Sequence, residues 1–140
     1  MKKMNNKGFS LVELIIVIAI MAILIGVLAP QYIKYVEKSR VSADKDLLDS
    51  VYTACTTAAA DPDFAQTVPS TGGAGTSVIT AGTDNWGSEV LNTLGVATFG
   101  SVDAKLKSKS AGTPGATISI SIDAQGNFTV YAGDITVPEQ

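Results

Sequence analysis

At 140 residues the chain has room for one small domain in addition to a membrane-spanning helix. It carries ten basic and thirteen acidic residues, for a net charge of −3, with no histidine and a single cysteine, Cys55. That composition excludes an intramolecular disulfide and removes both the commonest general base and the commonest metal ligand. A catalytic triad or a zinc site would therefore have little to work with, and no enzymatic activity, cofactor or metal is expected. Beyond Ala60 only Lys105, Lys107 and Lys109 approach a basic cluster. Their spacing of two marks a solvated edge rather than a nucleic-acid face, so no nucleic-acid partner is expected for this chain alone.

Residues 1–8 form a polar leader with three lysines, Lys2, Lys3 and Lys7. From Leu14 to Ala29 there is no charged side chain. Counting Phe9 to Ala29 at about 1.5 Å per residue gives roughly 32 Å of helix, enough to cross a ~30 Å hydrocarbon core. A secretory signal is cut after its apolar segment. The candidate site here lies before it, at Gly8-Phe9, where a residue without Cβ lets a protease approach the backbone, so the apolar helix would stay on the mature chain. Loss of the leader leaves seven basic against thirteen acidic residues, a net −6. Glu13 lies inside the apolar run, four residues after Phe9, where an unpaired carboxylate costs on the order of a few kcal/mol. It is therefore a functional candidate in need of a partner. Lysines flank the span on both sides, with Lys34, Lys38, Arg40 and Lys45 following it, so charge counting does not fix its orientation.

After Pro30 the pattern turns amphipathic. Ile33, Val36, Leu47, Leu48, Val51, Cys55, Ala58 and Ala59 recur at three- and four-residue intervals, with Lys38, Arg40, Asp44, Lys45, Asp46 and Asp49 assigned to the other sides. The spacing predicts one helix from about Ser10 to Ala60, ended by the turn Asp61-Pro62-Asp63. Inside it Pro30 removes a backbone hydrogen bond and Gly26 weakens the same turn, which predicts a hinge at these two residues. Residues 62–84 read as a loop, with a short strand at Ser77-Val78-Ile79-Thr80. A short helix is expected from Asn85 to Leu94, closed by Gly95. Its Trp86 is read as an anchor on the sheet, with carbohydrate stacking the alternative. Ser101–Lys109 fits either a helical turn or an edge strand. Residues 117–122 and 128–131 alternate strictly about the turn Asp123–Asn127, giving an antiparallel hairpin, and Ile135-Thr136-Val137 offers a further strand. The apolar faces are expected to pack on Leu47, Leu48, Val51 and Cys55. Cys55 reads as a small buried hydrophobe rather than a reactive thiol. The pairs Asp61/Asp63 and Asp123/Asp134 lack the dense ligand spacing of a calcium loop, and the first pair reads as turn residues.

The string Lys7-Gly8-Phe9-Ser10-Leu11-Val12-Glu13-Leu14-Ile15-Ile16-Val17-Ile18-Ala19-Ile20, after a basic leader and before Pro30, resembles the amino terminus of type IV pilins. It equally resembles that of pseudopilins from type II secretion and DNA-uptake machines. The resemblance is close from Lys7 to about Pro30, looser to about Ala60, and absent beyond. It implies an α+β fold: a long N-terminal helix, half transmembrane and half amphipathic, packed against a small antiparallel sheet head. The corresponding division is leader 1–8, transmembrane and assembly helix 9–30, amphipathic helix 31–61, and loop and sheet of the head 62–140.

The resemblance further implies cleavage between Gly8 and Phe9 by a prepilin peptidase and N-methylation of Phe9 by the same class of enzyme. Glu13 would serve filament assembly by meeting the amino terminus of a neighbouring subunit. Other implied partners are copies of the chain in a helical filament, a pilus assembly platform, and the inner or cytoplasmic membrane before assembly. The amino terminus would lie inside and the head outside, with the assembled filament at the cell surface in adhesion, motility or aggregation. Two departures stand out: many relatives carry Gly where this chain has Ala22, and many carry a disulfide that a single cysteine cannot form. A small head with Ser/Thr-rich loops fits a major pilin, the alternative being a pseudopilin of a secretion or competence machine.

Overall fold

The apolar run and the amphipathic stretch after it form one helix in the computed structural model, α1 (Leu11–Ala60). The structure describes residues 8–65, 85–123 and 125–138; the predicted strand at Ser77–Thr80 lies outside them. The remaining elements are α2 (Asn85–Leu94), α3 (Phe99–Asp103), β1 (Ser119–Ile122), β2 (Phe128–Ala132) and β3 (Ile135–Val137). The architecture is α+β, a long amino-terminal helix with a small antiparallel sheet near the carboxy-terminal end. The chain divides into two units, residues 1–36 and 37–140.

In the first unit every described residue through Tyr35 is exposed, the apolar ones included. A water-soluble helix keeps such a stripe covered; a helix apolar on all sides suits lipid or a bundle of like helices.

The second unit has its own core. Along α1, Leu48, Val51, Ala54, Cys55 and Ala58 are buried and Leu47 is partly buried, as the three-and-four spacing predicts. Past Ala60 the carboxylate of Asp61 accepts the Asp63 amide at 2.9 Å, the turn expected around Pro62. The sheet runs β1-β2-β3, both pairs antiparallel, with Ser119 opposite Tyr131 and Ala132 opposite Ile135. Its buried face is Ile120 with Phe128, Val130, Ala132, Ile135 and Val137, the side chains one pleat apart. Trp86 from α2 is fully buried, stacks on Phe128 with ring centroids 5.5 Å apart, and donates its indole N–H to the Cys55 carbonyl at 3.4 Å. It is an internal anchor, and its ring is not on the surface to stack on a sugar. The segment left open between helix and strand is a single helical turn, α3, followed by loop.

One residue overturns the sequence assignment. Asp44, placed above among the solvated charges, is 1% exposed. It lies four residues before Leu48 and seven before Val51, on the buried stripe itself. Its carboxylate accepts the Lys107 amide at 2.9 and 3.2 Å through its two oxygens and the Ser108 amide at 2.7 Å. Two turns earlier on the helix, Glu37 accepts the Lys109 amide at 2.6 Å. These carboxylates satisfy consecutive amides of a loop that has no ladder of its own, the condition for placing that backbone against a helix. The side chains of Lys105, Lys107 and Lys109 stay exposed, as their spacing predicts, while Leu106 and Ser108 point inward. On the loop's other side the β2–β3 turn approaches closely: the Asp134 amide donates to the Ser110 carbonyl at 2.8 Å. A Cβ on Gly133, whose φ is +56°, would collide with the Ser110 and Ala111 backbone.

Candidate functional site

The candidate residues of the first unit start at Gly8. Gly8, Phe9 and Ser10 are non-helical and exposed, and helical geometry begins at Leu11. The Gly8-Phe9 bond thus stands outside the helix, and the Phe9 ring is 93% exposed. A non-helical, uncovered peptide is open to a protease cleft.

Glu13 belongs to the first turn of α1. Its Oε2 accepts the backbone amide of Ser10 at 2.9 Å, while the Ser10 carbonyl accepts the Leu14 amide at 3.2 Å. With Ser10 at the N-cap and Glu13 at the third helical position, this is the carboxylate half of a capping box. An acid in the first turn is also favoured by the helix dipole. The signal was legible in Ser10-Leu11-Val12-Glu13, a Ser followed three residues later by Glu before an apolar run. Reading Glu13 only as a membrane acid misses it. The partner that the apolar setting demands is therefore supplied, in part, by the chain itself.

Gly26 and Pro30 lie in the interior of α1, which continues through both. Pro30 has no N–H, so the carbonyl four residues earlier, that of Gly26, lacks its helical donor. A Cβ on Gly26 would meet nothing, so packing within the chain does not require glycine there.

Elsewhere the acids act locally. Asp123 accepts the amides of Gln125 and Asn127 at 2.9 and 2.8 Å and the Asn127 side-chain amide at 2.8 Å. These bonds hold its carboxyl below the usual range, the Asn127 side chain contributing most. Among the described residues no group of three or more His, Cys, Asp or Glu side chains is placed to hold a metal ion. Cys55, in the second unit, is buried, and desolvation pushes its thiol up to about 12.

Residues 3–29 match the family described as the prokaryotic N-terminal methylation motif. The chain is 44% identical over 50 residues to the type IV major pilin protein PilA of Myxococcus xanthus (strain DK1622). That match covers 36% of this chain and only 23% of the relative's length. No solved structure matches the chain.

Proposed function

We propose that this chain, whose amino-terminal segment matches the prokaryotic N-terminal methylation motif and is similar to that of a type IV major pilin, is a major pilin, the repeating structural subunit of a type IV pilus. The observation that carries the proposal is the first unit: a helix exposed and apolar on all sides, interrupted by one carboxylate and preceded by an uncovered Gly8-Phe9 bond. In this reading residues 1–8 are a leader, 9–30 cross the cytoplasmic membrane with the amino terminus inside, 31–61 form the amphipathic half of the spine, and 62–140 complete the head outside. A prepilin peptidase cuts after Gly8 and Phe9 is N-methylated. The subunit then leaves the membrane through an assembly platform and packs helix to helix with copies of itself into a surface filament. Gly26 and Pro30 give the helix a weak turn at which it bends or partly melts on packing.

Cleavage creates a cationic amine at Phe9, about one helical turn from Glu13. Between apolar helices neither charge is stable alone, since unpaired burial costs several kcal/mol. Glu13 of one subunit and the amine of the next neutralise each other and fix the axial register of otherwise smooth surfaces.

Mass spectrometry of the amino-terminal peptide is expected to find a chain beginning at methylated Phe9, and Gly8→Val should accumulate uncut precursor. A mature chain beginning at Met1 sinks the reading. Glu13→Val should insert in the membrane and yield no sheared filaments; a wild-type filament yield removes the pairing. If cleavage occurs but no surface filament is sheared from wild-type cells, and deletion abolishes secretion or DNA uptake, the subunit is a pseudopilin.

A further inference from the structure

Beyond the apolar run, the first unit carries Tyr32, Ile33, Lys34 and Tyr35 just before its last residue, Val36. Tyr32 to Tyr35 are all exposed, the tyrosines 69% each and Ile33 65%. We infer that Tyr32, Lys34 and Tyr35 form an interfacial collar that seats the unassembled subunit among the anionic phospholipid headgroups of the leaflet on the head side.

Position comes first. A hydrocarbon core of ~30 Å beginning at Leu11 takes about 20 residues and ends near Pro30. Tyr32 then lies about 3 Å beyond the core, within a headgroup layer of roughly 5 to 7 Å, and Tyr35, about 7 to 8 Å out, at the outer edge of that layer. Tyrosine suits that layer because its ring is apolar and its hydroxyl is wet. Lysine suits it because a long apolar stem can lie along the acyl boundary while the ammonium reaches the phosphates.

At about 100° per residue, Tyr32 and Tyr35 lie about 60° apart on one face and Lys34 about 100° from Tyr35, so the three occupy less than half of the circumference. Charge discriminates between occupants. Residues 31–40 carry three basic side chains and one acidic, and residues 41–140 carry four basic and eleven acidic. Positive charge is concentrated next to the span, where anionic headgroups attract it and where a like-charged head would be repelled.

The collar rests on the membrane-spanning reading above, and the experiment separates the two. The full chain is spin-labelled at Ile33→Cys, which leaves the three collar residues intact, and reconstituted in phosphatidylcholine vesicles with and without phosphatidylglycerol. The native Cys55 is buried, and the unsubstituted chain treated in parallel controls for its labelling. Collision with a water-soluble nickel chelate reports depth, with labels at Ile18→Cys and at the exposed Thr93→Cys as references. With phosphatidylglycerol present, the label at position 33 should collide with the chelate severalfold less often than the label at position 93. Lys34→Gln, high salt, or omission of the anionic lipid should each raise that rate. A rate equal to that at position 93, with position 18 in hydrocarbon, overturns the collar alone. Water access at position 18 overturns the span and the collar together. Indifference to lipid charge and to Lys34→Gln refutes the headgroup recognition. Spin–spin broadening at position 33 that persists on dilution in lipid assigns the collar to a second copy of the chain and also overturns the proposal.

Discussion

Asp44 is the buried charge on which the head's loop depends, and Asp44→Ala is the sharpest test of the fold. The substitution removes the acceptor for two amides. The Ser108 amide has no recourse, because Ser108 is fully buried; hydrogen bonds to charged groups contribute about 1.5–3 kcal/mol, and a stranded buried donor forfeits a similar amount. The Lys107 amide belongs to an exposed residue and recovers part of its bonding from water, so its loss is set near ~1 kcal/mol. Relief from burying a carboxylate offsets some of this. The expected net loss is about 2–4 kcal/mol, a large part of a typical 5–15 kcal/mol. The assay is denaturant unfolding of the full chain in detergent micelles, followed through Trp86, the single tryptophan, whose stacking on Phe128 reports the core. Glu37→Ala, which removes the acceptor for one exposed amide, should cost no more than about 1 kcal/mol. If Asp44→Ala is as mild as Glu37→Ala, the carboxylate does not hold the loop and the reasoning fails.

Gly133→Ala combines a left-handed φ with a collision against the Ser110–Ala111 backbone and should cost at least about 2 kcal/mol in the same titration, whereas Gly95→Ala, with open space around it, should cost only about 1 kcal/mol. Cys55 should resist maleimide in the folded chain and react once denaturant is added; rapid labelling without denaturant would contradict its burial. Because the folded carboxyl of Asp123 is held below its unfolded value, its contribution is present above about pH 4 and is lost as pH falls further. Asp123→Ala should therefore flatten the acid limb of a stability–pH curve while changing its neutral slope little.

Much of the head was legible because periodicity reports burial. The predicted helix from Ser10 to Ala60 and the observed Leu11–Ala60 differ by one residue, α2 has the predicted bounds, and the hairpin alternates as expected. What escaped in the head shares one property: backbone amides far along the chain as partners. Asp44 reads as a surface charge because its donors lie 63 and 64 residues away and are not side chains. The alternation of Lys105, Lys107 and Lys109 tells which side of the loop around Ser108 faces water, but not that Asp44, Glu37 and the close approach of Gly133 hold it in place. At the amino terminus the signal was local but masked, since a Glu in an apolar run draws attention to membrane cost before helix capping.

The Ser10–Glu13 bond bears on reversibility. Glu13 is not a bare charge before it meets another molecule, because it already accepts an amide of its own chain. On the proposed reading, a cation that captures this carboxylate competes with that amide, so it gains less than it would by pairing with a bare buried charge. If the chain assembles as proposed, a subunit that loses the contact falls back on its own cap instead of exposing an unpaired charge.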